Sequence, residues 1–501
     1  YVKLDILGLD NIEIINETCK LAGIKRLTPD NINDEDMNVW NSLKESTLGI
    51  FQWESETAFN YIKQLLSNET ITKIKKENSN YKLIDLLSVG NGAIRPSGES
   101  YRDRLANGIF NDNGHEGLNN LLHDTLGYLV YQEQIMKFLT DFCGFTPAES
   151  DNVRRGLAKK VGTEQFLPQI EKGFIKTMTE KYNESKNNAK KILESFLKVI
   201  SDASNYGFSV NHSQPYSYIG YICGYLRYYY PLEFLTVMLN INQDDIDKTA
   251  KIYQYAKQKG IQIKPIQFGK SKANYSLSKD ENAIYKGIGS IKHLNNKIAE
   301  ELYHLSQNQY NDFIDLLIDI EEKTSCNSRQ LEILIKLNFF KQFGKNEKLF
   351  AIYEKFKQRY KKTHKDSTKQ QRIKEIKSFA AELEDVEIPV QDQILFERDT
   401  LGYGQTIFPK VSKAYGMVID IDTKYSPKIT LYIINNGKEV QLKVSKSHFY
   451  NNGDQLLNVG DIIKVLKIEK RPKKKLVDGK WVNTDVMEDW LIAYQISKKY
   501  L

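Results

Sequence analysis

Cysteine is scarce in this 501-residue chain. Its four cysteines, Cys19, Cys143, Cys223 and Cys326, lie far apart, and no two stand in a Cys-x-x-Cys spacing. That spacing supports neither a zinc site nor a disulfide framework, and a reducing cytoplasm is the expected setting. No stretch approaches about 20 consecutive apolar residues, so neither a membrane-spanning helix nor a membrane partner is expected. Charge of one sign is nearly balanced. The 71 Lys and Arg exceed the 64 Asp and Glu by seven, a slight tilt towards polyanions. No phosphate-binding P-loop, HExxH or Ser–His–Asp order stands in a fitting context. An initiator Met is also absent: the chain opens at Tyr1, which reads as a fragment, a processed chain or a deliberate cut.

What is present is a core-forming chain, 41% apolar and 27% charged. Its length predicts about three domains, and the expected class is a multidomain α+β protein. Residues 1–9, YVKLDILGL, read as a strand with one acid, Asp5, in its middle. Asp10 or Asn11 is expected to cap the helix that follows, which stops at Gly23. From about 35 to 240 the pattern is mostly helical, and SVGNGAIRPSGES (88–100) reads as its most compact loop. Residues 245–345 alternate short strands with helices. There KGIGSIKHLNNKIAEEL (286–302) reads as a Gly-x-Gly turn opening a helix, and TSCNSRQLEILIKLNFFKQFG (324–344) as a short helical unit ending in Gly. Residues 345–385 are very polar and read as a solvated helix and linker. From 411 the period changes to two. AYGMVIDID, KITLYIINN, KEVQLKVS and DIIKVLKIEKR are short alternating runs bounded by turns such as Asn435-Asn436-Gly437. Such runs suggest a small barrel, of the oligonucleotide-binding kind or another small barrel that reads the same way.

Several stretches could carry chemistry. YQEQIM (131–136) sets Gln132, Glu133 and Gln134 in an otherwise apolar helix. ESDNVRRGLAKK (149–160) packs Arg154, Arg155, Lys159 and Lys160 into two turns. Arg155 and Lys159 share a face, which favours an anionic partner over a merely solvated surface. In NYGFSVNHSQPYSYIGYICGYLRYYYPLEF (205–234) the aromatic density is high. Asn211 and His212 stand where loop meets helix, placed to donate to a phosphate; Tyr221, Tyr225 and Tyr228 read as core. Arg95, in a loop of small residues, is a phosphate candidate. Gly287 and Gly289 are expected to aim free backbone N–H groups outward, as DNA-gripping hairpins do. KRPKKK (470–475) could hold a nucleic-acid backbone or be a solvated loop. Trp481 and Trp490 could stack bases or fill the barrel. Asp5 is the best metal-ligand candidate, although two-metal chemistry needs more than one carboxylate.

These pieces, in this order, resemble the bacterial family C replicative DNA polymerases. VKLDILGLDNIEII resembles the family's palm strand and TLGIFQWES (47–55) its G-[IV]-F-Q-x-E-S. LVYQEQIM resembles Y-Q-E-Q-V-M, and the run from Asp151 to Lys160 resembles A-D-x-L-R-R-A-x-G-K-K. NYGFSVNHSQPYSYIGYICGYLRYYYPLEF, YKGIGSIK, SRQLEILIKLNFF and ERDTLGY (397–403) follow the family's later motifs. The resemblance implies residues 1–10 as the last palm strand and 11–240 as the fingers. It implies 241–345 as fingers base and helix-hairpin-helix region, 346–410 as a polar helical linker with a clamp-binding region, and 411–501 as an oligonucleotide-binding barrel.

It also implies roles. Asp5 is one of three catalytic carboxylates of a two-Mg²⁺ site, the others lying upstream of this chain in a missing N-terminal half, and Lys3 is its neighbour at the primer end or nucleotide. Arg154, Arg155, Lys159, Lys160, His212, Asn211 and Arg95 hold the dNTP. Gly287, Gly289, Lys292, Lys470, Arg471, Lys473, Lys474 and Lys475 contact DNA, with single-stranded template on the barrel. Gln391, Ile394 and Phe396 resemble a sliding-clamp peptide, and other replisome subunits are expected partners. The implied activity is DNA-directed DNA polymerisation, absent from this chain alone. The alternative is a non-catalytic DNA-binding module, which suits the lone Asp5 and Val210 standing where the family has a Lys, or a replisome scaffold; Arg95-Pro96-Ser97-Gly98 stands where the family has R-P-G-P, which implies a different loop geometry.

Overall fold

The computed structural model describes residues 8–94, 101–159, 163–203, 207–289, 291–424, 426–450, 456–477 and 480–497. The strand expected over 1–9, with Lys3 and Asp5, lies almost wholly outside them, as do Arg95 and Lys160. The chain divides into two compact units at Ile261 and Gln262.

The first unit is helical. Its elements are α1 (Asp10–Ala22), α2 (Met37–Glu45), α3 (Glu56–Leu65), α4 (Asn68–Glu77), α5 (Leu83–Ala93), α6 (Arg102–Ala106), α7 (Glu116–Leu121), α8 (Gln132–Cys143), α9 (Pro147–Lys159), α10 (Thr163–Tyr182), α11 (Lys186–Ala203), α12 (Val210–Tyr229), α13 (Pro231–Ile241) and α14 (Ile246–Gln258). Asp36, Ser55 and Ser67 start α2, α3 and α4 by accepting first-turn N–H groups, the usual remedy for a helix's orphan donors. The cap expected for α1 is not made. Leu9 precedes the helix without a side-chain bond, and Asp10 sits inside the first turn. Asn11 is drawn away, its amide donating to the Gly49 carbonyl and the Cys223 sulfur. Gly23 does end α1, in the left-handed region at φ 71°, as the sequence predicts.

The stretch read as a compact loop over 88–100 is helical as far as Ala93, and every residue of α5 except Asp85 is buried. Its glycines serve contact, not turning. A Cβ at Gly90 would lie 2.5 Å from Leu65, and one at Gly92 2.6 Å from Val130. A buried cation ties α12 to the 42–48 segment. Arg227, 1% exposed, donates to the carbonyls of Leu48 (2.8 Å), Ser42 (3.1 Å) and Ser46 (2.5 Å). It therefore closes the C-terminal end of α2, where unpaired carbonyls attract a cation.

The second unit begins with a three-stranded sheet of β1 (Gln262–Lys264), β2 (Ser276–Ser278) and β3 (Ala283–Tyr285). Its centre, β3, runs parallel to β1 and antiparallel to β2. On this sheet Lys264 (2.5 Å), Lys270 (2.9 Å) and the Tyr285 hydroxyl (2.5 Å) converge on Glu281. Hydrogen bonds from Lys264 first, then Lys270 and Tyr285, hold that carboxyl at about 2. A carboxyl depressed in the fold adds stability that is full above its unfolded pKa, about 4.5, and is lost as pH falls through its folded value. Unfolding of Glu281→Gln beside the parent is expected to show a stability gap that closes between about pH 4.5 and 2. A gap constant with pH would reject the bridge as its source.

Helices follow: α15 (Asn296–Leu305), α16 (Phe313–Lys323), α17 (Ser328–Lys336), α18 (Asn346–Arg359), α19 (Asp366–Glu382) and α20 (Val390–Leu401). The 345–385 stretch, read as a solvated helix and linker, is two helices that join this core. Leu349, Ile352, Tyr353, Phe356, Tyr360 and Ile376 are buried in one cluster with α15–α17. A narrow apolar stripe suffices for docking even when the rest of the helix is charged.

The chain ends in a closed five-stranded barrel, in the order β4 (Tyr415–Asp422), β5 (Lys428–Ile433), β6 (Glu439–Lys443), β8 (Lys480–Ile496), β7 (Ile462–Val477), with a short helix α21 (Lys446–Tyr450) between β6 and β7. Val418, Ile429, Leu431, Leu442, Ile463 and Leu491 fill it, from alternate positions as period two requires. Gly437 makes the predicted turn at φ 73°.

Candidate functional site

In the helical unit, α8 links the two stretches singled out for anion binding. Its first turn meets the entry to α12, and its later turns pack on α9. The Gln134 side-chain oxygen accepts the N–H groups of Val130 and Tyr131 and its amide donates to Thr125, which closes the start of α8. Glu133 reaches across the chain. One of its oxygens accepts the Ser209 hydroxyl at 2.6 Å and the other the Val210 N–H at 3.1 Å. A carboxylate placed there satisfies an orphan donor of α12 and complements its dipole. The sequence flags Glu133 as unusual, but its partners lie 76 and 77 positions away, so only the fold reveals its work.

The first turn of α12 carries Asn211 and His212, both exposed. Its body is held against α5 by a buried polar chain. The Ser213 hydroxyl donates to the Ser88 carbonyl, Asn91 donates to the Ser217 hydroxyl at 2.7 Å, and the Ser88 and Tyr131 hydroxyls lie 3.0 Å apart. Tyr221 is core, as expected, whereas Tyr228 is 41% exposed.

On α9, Arg154 and Arg155 share one carboxylate. Arg154 grips one oxygen of Asp151 through Nε (3.1 Å) and Nη2 (2.7 Å), and Arg155 reaches the other at 2.8 Å. These bonds, Arg154's first, hold the Asp151 carboxyl below the usual range. Arg154 is mostly buried and Arg155 mostly exposed. One carboxylate thus pre-orients two guanidinium groups while leaving a positive surplus, a fit for a polyanion. The side chain of Lys159, the last residue of α9, lies outside the described residues.

The Gly-x-Gly turn departs further from expectation. The Ile288 and Gly289 N–H groups donate to the carbonyls of Lys272 and Ala273, so neither is free to hold a phosphate. The helix it was to open begins seven residues later, at Asn296, capped by Asn295. A Cβ at Gly287 would strike the 273–274 backbone, and one at Gly289 would strike the Asn296 side-chain oxygen. The exposed groups are next door: Lys292, and His293, whose Nε2 lies 2.8 Å from Arg329 Nη2. His293 holds φ 72°, costly for a non-glycine residue, and no local pattern marks it.

Gln391, Ile394 and Phe396 stand in α20. Ile394 is fully buried among Met417 and Tyr432, and Phe396 packs on the helical core. A clamp-binding peptide must expose such anchors, so the hydrophobic run here is structural. The KRPKKK run is a strand, not a loop. It lies on β7, with Lys470 opposite Asp489, Arg471 opposite Glu488 and Pro472 at a bulge, the place where a strand tolerates proline. Beyond the barrel, β7 and β8 continue as a two-stranded ribbon. β7 pairs with β4 only at Ile462–Lys464, and β8 with β6 only at Trp490. The side chains of Lys474, Lys475 and Trp481 lie outside the described residues.

Among the described residues no group of three or more His, Cys, Asp or Glu side chains could hold a metal ion, and no helix is long and apolar enough to cross a membrane.

Residues 11–182 match the family profile of the bacterial DNA polymerase III alpha subunit finger domain, and residues 260–350 that of a helix-hairpin-helix motif. The chain is 30% identical to a DNA polymerase III subunit alpha of Ureaplasma parvum, over 70% of this chain and 35% of that protein. It is 26% identical to one of Bacillus subtilis, over 80% and 35%, and 29% identical to one of Campylobacter jejuni, over 68% and 28%. The chain thus spans about a third of the length of the curated relatives it matches.

Proposed function

We propose, from the premise that this chain belongs to the bacterial DNA polymerase III alpha-subunit family, that it is the nucleotide- and template-holding part of a replicative DNA polymerase. The complete enzyme would add dNTPs to a primer end and release pyrophosphate. The observation that carries this reading is the Arg154–Arg155 pair braced by Asp151 within the fingers match. Phosphoryl transfer asks the protein for fixed cations around the leaving phosphates more than for covalent work. On this reading Arg154 and Arg155 hold the triphosphate, with Lys159, Lys160, Arg95, Asn211 and His212 around it. The Mg²⁺ pair supplies charge neutralisation and orientation when bound. Asp5 is its proposed ligand in this chain and Lys3 its neighbour.

The template lies on the barrel and its ribbon, which occupies the position of the last interstrand loop of an oligonucleotide-binding fold, a standard strand-binding element. Lys292 and the hairpin helices after it contact duplex phosphates.

Two titrations of the full chain test this. Affinity for dATP is expected to fall about tenfold in Arg154→Gln with Arg155→Gln, the loss of roughly one charge-assisted contact; unchanged affinity rejects the arginine assignment. Affinity for an oligo(dT) strand is expected to fall linearly on a log–log salt plot. Replacing Lys473, Lys474 and Lys475 by Gln should flatten that slope by about 2, at roughly 0.7 per contact. An unchanged slope removes the ribbon from the reading.

A further inference from the structure

At the foot of the ribbon the barrel holds a cavity of about 380 Å³ that the lysine run does not explain. Ser445, Ser447, His448, Arg471, Trp490 and Leu491 line it. Its walls follow from the local chain. As β6 ends, the Ser445 hydroxyl accepts the His448 N–H (3.2 Å) and lies 3.3 Å from the Ser447 hydroxyl, so a single short turn delivers two hydroxyls and an imidazole. From the opposite side β8 supplies Trp490. The Arg471 guanidinium, on β7, lies 5.2 Å from the Trp490 ring centre and Lys443 Nζ 5.7 Å from it. The His448 ring stands edge-on to Tyr494 at 5.4 Å.

Among the described residues, two of these wall residues carry buried ring nitrogens with no hydrogen-bond partner, His448 Nε2 and Trp490 Nε1. Native folds rarely leave such groups unpaired, and each calls for a missing partner, which for the indole must be an acceptor. The indole can only donate, the guanidinium can only donate, and the hydroxyls and imidazole can do so. No carboxylate lines the cavity. Two acids hold the cations, Glu469 on Arg471 at 3.0 Å and Glu488 on Lys443 at 2.6 Å. A donor-rich, acid-free hollow beside two cations suits an oxyanion with several acceptor oxygens.

We propose that this cavity is a subsite for one phosphate of a nucleic-acid single strand, with Trp490, His448 and Arg471 as donors. It rests on the barrel's proposed strand binding and gives that reading a fixed point. Arg471 belongs both to the cavity and to the basic run 470–475, so a strand lying on the ribbon reaches the cavity without a break. Trp490 then acts through its N–H, and the cations already over its ring leave base stacking to other residues.

The test uses the full chain and a (dT) oligomer of about 16 nucleotides, the upper site size for one such barrel. Trp490→Phe keeps an aromatic ring but loses the indole N–H together with the pyrrole part of the ring; it is expected to weaken binding about fivefold. Arg471→Gln is expected to weaken it about tenfold and to flatten the salt slope by about 0.7. His448→Leu should resemble Trp490→Phe. An oligomer with uncharged methylphosphonate linkages should bind all four proteins alike. Wild-type binding that all three variants keep overturns the cavity while leaving the ribbon reading intact; no binding by the parent overturns both. Displacement of the oligomer from the parent by millimolar inorganic phosphate, lost in Trp490→Phe, agrees with the subsite. Phosphate quenching of tryptophan fluorescence without any effect of the variants on the oligomer identifies a free-ion site and rejects the strand.

Discussion

Arg227→Ala is expected to cost the helical unit roughly 3–5 kcal/mol, from buried carbonyls left unmet together with the cavity of a large side chain. The side chain is 1% exposed, and its bonds close the carbonyls of Ser42, Ser46 and Leu48. Truncation strands the Ser46 and Leu48 carbonyls, leaves Ser42 only the Ser46 N–H, and opens a cavity in one step, each orphan alone costing about 1–3 kcal/mol. Against this stands some relief. The guanidinium has no carboxylate partner among the bonds described, its Nε is unpaired, and burial lowers its pKa. Arg227→Met separates the terms, because it fills the space and leaves only the acceptors unmet. Urea unfolding of both variants measures the two losses. Stability of Arg227→Met equal to the parent's would sink the claim that the guanidinium is held for its three carbonyls.

The second large effect belongs to Glu133. Its two oxygens hold the Ser209 hydroxyl and the Val210 N–H, both charge-assisted and each worth roughly 1.5–3 kcal/mol. Glu133→Ala releases the first turn of α12, and with it the exposed pair Asn211 and His212. The expected result is roughly tenfold to hundredfold faster exchange of the Val210 amide, a local loss of about 1.4–2.8 kcal/mol. Nucleotide affinity should fall alongside. Ser209→Ala, which removes one of the two bonds, should give an intermediate value. If Val210 exchanges at the parent's rate in Glu133→Ala, the clasp is not what orders this turn.

How far the sequence revealed these features depended on the separation of the partners. Period two from residue 411, the Asn435-Asn436-Gly437 turn and the stop at Gly23 are local patterns, and the barrel and α1 follow from them. Asp151 was equally local. It stands three and four positions before Arg154 and Arg155, on one helical face, so their pairing was open to view. The features that escaped depend on distant neighbours. Gly90 and Gly92 look like a loop until Leu65 and Val130 are seen against them. KRPKKK looks like a loop until β8 lies beside it. The Gly-x-Gly amides look free until the 272–273 carbonyls take them. Ile394 looks like a docking anchor until it is found beneath Tyr432 in the core. Charge density likewise hid the stripe of Leu349, Ile352, Tyr353 and Phe356 that docks α18.

The ribbon formed by β7 and β8 has another consequence. Among the described pairings it leaves the barrel as two strands joined only to each other, with Leu466, Ile468, Val486 and Met487 each more than 40% exposed. Such an edge is a template on which a strand of another molecule can add itself, and natural proteins guard against this with lysine, proline and bulges. All three are here, in Lys470, Pro472, Lys473 and the irregular register after Pro472. The basic run is therefore also a safeguard against self-assembly. The residues proposed to draw in a polyanion are the ones that keep neighbouring copies of the chain apart.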